Sequence, residues 1–251
     1  MTDIILCGCN GKMGRVITDC VKSRNDAKIV AGVDINTNSI YDYPVYDSFD
    51  KIQEKADVII DFSHPSTLEN LLAFAEKTAT PLVLATTGFS ATQTEKIKKS
   101  ADNIPLFFTF NMSLGINLLV ALSKKAAQVL DGNFDVEIIE KHHNQKLDAP
   151  SGTAIMLAQA INETYDNKMM YEYDRHSKRE KRPANQIGIH SVRGGNIVGE
   201  HEVIFAGHDE VISLTHTATS KEVFAVGALK AALFMKGKTA GLYDMNNVIT
   251  E

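Results

Sequence analysis

The chain opens on a continuous apolar run, Ile4-Ile5-Leu6-Cys7, followed at once by a polar, glycine-rich stretch from Gly8 to Gly14. Behind it, Met13, Val16, Ile17, Cys20 and Val21 recur at helical spacing. A short apolar run without alternation is expected of a parallel strand buried on both faces, and the spacing that follows predicts an amphipathic helix. The same order repeats. Residues 28–33, 57–62, 81–85 and 105–110 read as strands, and 65–77 and 91–100 as helices. Regular alternation of this kind predicts an α/β domain with a Rossmann-like, doubly wound parallel sheet.

The pattern changes after a helix predicted over 117–130, whose apolar face is read as Leu118, Leu119, Leu122, Ala126 and Val129. Residues 136–140 are β-branched and strand-like. Strands are also expected over 186–192, 197–205 and 211–218, joined by Gly194-Gly195-Asn196 and Gly207-His208-Asp209. Short glycine-bearing connections predict antiparallel neighbours. A second, α+β domain with a mixed, mostly antiparallel sheet is therefore expected over 113–220. The first domain is expected over 1–112, completed by 221–251: a helix over 222–235 capped by Ser220, then a tail, 241–245, that returns to it. The charge-dense segment 166–183 reads as a solvated loop.

Composition narrows the function. The chain has 251 residues, 44% hydrophobic and 23% charged, with a formal charge of −5. That balance argues against a nucleic-acid surface and leaves room for a local basic pocket. The first fourteen residues lack the basic start and cleavage site of a signal peptide. No apolar run approaches the roughly 18–20 residues of a membrane span, so no membrane partner is expected. Cys7, Cys9 and Cys20 are odd in number and read as free thiols, because no further cysteine completes a Cys-x-Cys site. A cytoplasmic protein is expected.

Two stretches carry chemistry. Gly8-x-x-Gly11-x-x-Gly14 lies between a strand and a helix, where glycines let the backbone approach a pyrophosphate seated on the helix N-terminus. Asp34 ends the second strand, about 20 residues further on, where a dinucleotide-binding unit places its ribose-binding acid. Thr86, Thr87, Gly88 and Asn111, at the ends of later strands, are small or polar enough for a cofactor to approach. Taken singly, such residues also simply end strands.

The second stretch, Glu137 to Ala154, gathers Glu140, His142, His143, Lys146, Asp148, Ser151 and Thr153. It reads as a strand, a turn at Asp148-Ala149-Pro150, then a helix capped by Ser151 with Ala154, Ile155, Leu157, Ala158 and Ile161 on its apolar face. Backbone N–H groups of Gly152 and Thr153 at that helix start can seat a carboxylate. Reduction of a C=N or C=O bond needs a positioned acid, which histidine and lysine supply. A metal is the rival for this cluster. Adjacent strand residues diverge, however, and no cysteine or carboxylate stands at the usual ligand spacings, so no metal is expected. His64, His176, His190, His201, His208 and His216 read as surface or packing residues.

With the signatures Gly8-x-x-Gly11-x-Met13-Gly14 and Glu140-x-His142-His143-x-x-Lys146-x-Asp148-x-Pro150-Ser151-Gly152-Thr153, essentially the whole chain resembles the 4-hydroxy-tetrahydrodipicolinate reductase (dihydrodipicolinate reductase) family. The resemblance implies an oxidoreductase of lysine and diaminopimelate biosynthesis. It would reduce 4-hydroxy-2,3,4,5-tetrahydrodipicolinate to tetrahydrodipicolinate and water with NADH or NADPH. It implies a cofactor lying along Gly8, Cys9, Asn10, Gly11, Lys12, Met13, Asp34, Ala85, Thr86, Thr87, Thr109, Phe110, Asn111 and Met112. His142 would be the proton donor and acceptor and Lys146 the second donor, with His143, Gly152 and Thr153 holding a small dicarboxylate. A homotetramer assembled through the second-domain sheets is implied too. Two positions depart from relatives. Ile35 stands where several carry a basic residue, which favours NADH because Asp34 repels a 2′-phosphate; Lys12 keeps NADPH usable. Met112 replaces an aromatic found in some relatives. Two other readings compete: an NAD(H)-binding regulator without chemistry, which leaves His142, His143 and Lys146 unexplained, and a different imine or aldehyde reductase on the same scaffold.

Overall fold

The computed structural model describes residues 1–38, 41–130 and 132–250; Ser39, Ile40, Asp131 and Glu251, which fall within the domain ranges expected above, lie outside the described residues. The chain divides into two compact units, Met1–Ser113 with Glu222–Glu251, and Leu114–Lys221.

In the first unit, β1 (Thr2–Cys7) leads into α1 (Lys12–Lys22) and β2 (Ala27–Val33). A short strand, β3 (Val45–Tyr46), precedes β4 (Val58–Asp61), α2 (Leu68–Thr78), β5 (Leu82–Leu84), α3 (Ala91–Ser100) and β6 (Pro105–Phe108). The C-terminal part of the unit adds a helix, Glu222–Met235, and a strand, Gly241–Tyr243, which in chain order are α6 and β12. All strand pairs are parallel and the order is β12-β6-β5-β4-β1-β2-β3. This is the doubly wound sheet that the apolar runs predict. Ile5, Ile59, Leu82, Leu84 and Leu106 of its strands pack on Leu68, Leu71 and Ala75 of α2. The tail does return to this sheet, Leu242 opposite Leu106. The two-residue β3 carries too little pattern to be seen in the sequence.

The second unit contains α4 (Leu114–Leu130), β7 (Asp135–His142), α5 (Gly152–Thr164), β8 (Met170–Glu172), β9 (Gln186–Arg193), β10 (Gly199–Ala206) and β11 (Val211–Ala218). Its sheet runs β11-β10-β7-β9-β8. It is mixed, as expected, but evenly so. β10 pairs antiparallel with β11 and β7, while β9 pairs parallel with β7 and β8. The expected β9–β10 hairpin does not form, because β7 lies between those strands. Stepping over one strand needs roughly 10 Å, which residues 194–198 cover with ease. The crossing is tied down over the end of β7. Gly194 N–H donates to the His142 carbonyl at 2.9 Å, and Asn144 N–H to the Gly195 carbonyl at 3.2 Å.

Val136, Ile138, Ile187, Val203 and Phe205 bury one face of this sheet against α4 and α5. The face of α4 is not the one expected. Ile116, Asn117, Leu119, Ser123 and Ala127 are buried, whereas Leu118, Leu122 and Val129 are exposed. Apolar residues occur all round this helix, so periodicity alone does not pick the buried stripe. Segment 166–183 is likewise more than a solvated loop. It supplies edge strand β8, and buried Glu172 accepts from Asp174 N–H at 2.9 Å and pairs with Lys178. Arg182 bonds Glu137 at 2.9 Å and Asp135 at 2.6 Å. Among the described residues no helix is long and apolar enough to cross a membrane.

Candidate active site

In the first unit, the candidate cofactor site is the turn between β1 and α1. Gly8 sits at φ +75°, where its Cβ would fall 2.5 Å from the Phe62 carbonyl oxygen. A Cβ on Gly14 would collide with the Gly8 carbonyl oxygen. Both positions exclude any side chain. The N-cap of α1 is Gly11, with no side-chain cap, so the first-turn N–H groups are available to an anion. The donors and the bare backbone fit a dinucleotide pyrophosphate. Asp34 accepts from Asn10 N–H at 2.9 Å and from Asn36 N–H at 3.0 Å, tying the turn to the end of β2.

A cavity of about 610 Å³ opens here, lined among others by Gly8, Gly11, Asp34, Ile35, Asp47 and Asp50. Ile35 is 97% exposed at its rim. The remaining expected cofactor residues differ in what they can offer. Cys9 is fully buried, and a Cβ on Gly32 would lie 2.6 Å from its sulfur, so only its backbone can reach a ligand. The Asn10 side chain is spent on the Asn36 carbonyl. Lys12 is exposed and Met13 half-buried in the first turn of α1. Ala85, Thr86 and Thr87 follow β5, and Thr109, Phe110, Asn111 and Met112 follow β6, at the same carboxyl edge of the sheet. Of these Phe110 is largely exposed, while Met112 is buried, its carbonyl oxygen filling the space that a Cβ on Gly227 would need. Asp61, at the end of β4, was not expected. Burial pushes its carboxyl up, against hydrogen bonds from the Ser63 N–H and hydroxyl.

In the second unit, the candidate catalytic residues gather on β7. Strand alternation puts Glu140 and His142 on one face, and the strand ends at His142. Glu140 is completely buried. Its carboxylate accepts two bonds from Arg193, Nη1 at 2.8 Å and Nη2 at 2.7 Å. It also accepts Ser151 N–H at 3.1 Å and meets His142 Nδ1 at 2.6 Å. Burial alone would raise this carboxyl, but Arg193, His142 and Ser191 outweigh it and bring it down to about 2. Ser151 caps α5 as expected, its hydroxyl accepting Ala154 N–H at 3.2 Å. The same hydroxyl lies 3.0 Å from His201 Nε2. His201 is 4% exposed and meets the His142 ring edge-on at 5.2 Å. Its Nδ1 is buried with no partner among the described residues. Burial first, then His142, pushes its pKa down to about 4.

Lys146 pairs with Asp148 at 2.8 Å, and its N–H donates to the His143 carbonyl at 3.1 Å. Lys146 also holds the Asp148 carboxyl below its usual range. Beyond its chain neighbours and its own helix backbone, no atom lies within 4 Å of where a Cβ on Gly152 would stand, so the start of α5 is open on that side. His142 and the helix start that carries Gly152 and Thr153 are thus joined through one carboxylate, with His143 and Lys146 on the loop between them. The sequence reading missed Arg193 and His201. His201 carries a signal in hindsight, since it alternates with buried Val203 and Phe205 on β10. Arg193, at a strand end, carries none.

Two family models match, dihydrodipicolinate reductase N-terminus over residues 2–112 and C-terminus over 115–249. The chain is 51% identical over 249 residues to a 4-hydroxy-tetrahydrodipicolinate reductase of Caldanaerobacter subterraneus subsp. tengcongensis, covering 99% of this chain and 98% of that one. It is 52% identical over 248 residues to that of Clostridium tetani, covering 98% and 96%. A dipicolinate-bound dihydrodipicolinate reductase from Paenisporosarcina sp. TG-14 superposes with a TM-score of 0.79 at 26% identity, covering 98% of this chain and 99% of that one.

Proposed function

The chain belongs to the dihydrodipicolinate reductase family, and from that premise we propose how its residues divide the work. It is an NAD(P)H-dependent oxidoreductase of lysine and diaminopimelate biosynthesis. It reduces 4-hydroxy-2,3,4,5-tetrahydrodipicolinate to 2,3,4,5-tetrahydrodipicolinate with release of water. The nicotinamide, when bound, supplies the hydride. The balance also consumes one proton and expels the 4-hydroxyl as water, so the chain must move protons at the substrate. His142 does this at Nε2, and Lys146 is the second donor. His143 and the N–H groups of Gly152 and Thr153 hold the carboxylates. Dipicolinate, bound by the Paenisporosarcina reductase, carries two carboxylates, which supports a small dicarboxylate as the ligand here.

The observation that carries this reading is the 2.6 Å contact of His142 Nδ1 with Glu140. An ionised carboxylate only accepts, so the hydrogen sits on Nδ1 and Nε2 is left to exchange a proton. His142→Gln should lower kcat by roughly 10²–10⁴-fold with NADH affinity unchanged. Normal turnover in that variant removes His142 from the mechanism.

NADH is the favoured cofactor. Carboxylates of Asp34, Asp47 and Asp50 line the cavity beside uncharged Ile35, with Lys77 on its wall, an arrangement that disfavours a 2′-phosphate. Cysteines Cys7, Cys9 and Cys20 are free thiols, as suits a reducing cytoplasm. Assembly as a homotetramer uses the second unit's sheet, whose face away from α4 and α5 carries Ile139, Ile204 and Val211 by strand alternation.

A further inference from the structure

Glu140 is a fully buried carboxylate inside a catalytic unit, and none of the roles assigned above uses it chemically. A buried charge is expensive and is kept only when fully paired. Here every lone-pair direction has a use. Oε1 accepts Ser151 N–H and Arg193 Nη2, and Oε2 meets His142 Nδ1 and Arg193 Nη1. Arg193 in turn donates from Nη2 to the Asp148 carbonyl at 2.6 Å and from Nη1 to the Val192 carbonyl at 2.8 Å. One ion pair therefore touches three things: the imidazole at the end of β7, the first residue before α5, and the loop that carries His143 and Lys146.

We propose that Glu140 and Arg193 are positioning residues for the reduction. Together they fix the tautomer and aim of His142 and lock the 143–150 loop and the α5 start to the same carboxylate. The inference rests on His142 being the proton donor and Ser151–Thr153 the carboxylate seat. Neither Glu140 nor Arg193 touches substrate in this scheme. Glu140 holds the hydrogen on Nδ1, so Nε2 is the atom left to exchange a proton with the substrate. Arg193 holds Glu140 flat by a bidentate fork, a geometry that lysine cannot reproduce. A misplacement of about 1 Å at a reacting group can cost 10²-fold in rate, and that is the size of effect expected here.

The test is a double-variant cycle on the full chain, reading kcat, NADH affinity by fluorescence and inhibition by pyridine-2,6-dicarboxylate. Glu140→Gln should lower kcat about 10²-fold and weaken the inhibitor several-fold, with NADH affinity unchanged. In Glu140→Gln combined with His142→Gln, the loss of kcat should fall well short of the product of the two single losses, because most of the Glu140 effect passes through the imidazole. Arg193→Lys should fall between wild type and Glu140→Gln in both readouts. Should Glu140→Gln not melt like wild type, Glu140→Asp keeps the charge beside Arg193 and must show the same non-additivity. Full turnover in a folded Glu140 variant, or multiplying losses in the double variant, overturns the inference. Normal turnover in His142→Gln overturns instead the site assignment beneath it.

Discussion

At the scale of single residues, the chemistry depends on which atoms are already spoken for. Asp34 is an instance. Both its oxygens accept backbone N–H groups, from Asn10 and Asn36, so it shapes the turn as well as facing the cavity. Asp34→Ala should therefore raise the KM for both cofactors but shrink the NADH-over-NADPH preference proposed above, because the repulsion of a 2′-phosphate is gone. Initial rates with the two cofactors check it, and an unchanged ratio means that Asp34 does not read the ribose. His142 and Lys146 stood out in the sequence as candidates because titratable groups crowded into one strand–turn–helix stretch are costly to desolvate without a chemical task. Arg193 and His201 did not, since they lie 51 and 59 positions from His142 and reach it only through strand pairing across β7. Glu140 stood in view, but its complete burial, which makes it the hub, is a property of the folded sheet.

At the scale of elements, the apolar runs of the first unit gave reliable strands because parallel strands buried on both faces leave no ambiguity of face. The second unit was harder. Glycines at 194 and 195 signal a tight connection, yet the connection crosses over β7 instead of closing a hairpin. Leucines around α4 hide its buried stripe. The pairing of β7 with β10 also stacks titratable groups, since His201 stands opposite Glu140, and this has a consequence for stability. His201 titrates at about 4 when folded, against about 6.5 unfolded. The unfolded chain then takes up a proton that the folded one refuses, and stability falls as pH drops from about 6.5 to about 4. Glu140, lowered to about 2, stabilises the fold above its unfolded value near 4.3, and that contribution is lost only as pH falls on towards 2. Urea midpoints measured between pH 7 and 4 should fall less steeply for His201→Gln than for wild type. Parallel curves would mean that His201 is not held neutral.

At the scale of the molecule, the sequence suggested two units because the hydrophobic pattern switches after the helix expected over 117–130, from βα alternation to strands joined by glycine turns. The two halves match separate family models, and the chain's last strand completes the first sheet. What the sequence could not show was that His142, the start of α5 and the loop that carries Lys146 hang on one buried ion pair, because that pair joins residues of two strands that meet only in the fold. The proposed dicarboxylate seat makes the sharpest demand on experiment. Calorimetric titration of pyridine-2,6-dicarboxylate into wild type and Lys146→Met measures it directly. Affinity for the dicarboxylate should fall at least about tenfold, because a second donor that reaches the substrate also offers its carboxylates an ammonium charge, while NADH binds as before. Equal dicarboxylate affinity in the two proteins would contradict the placement of the substrate beside Lys146 at the start of α5.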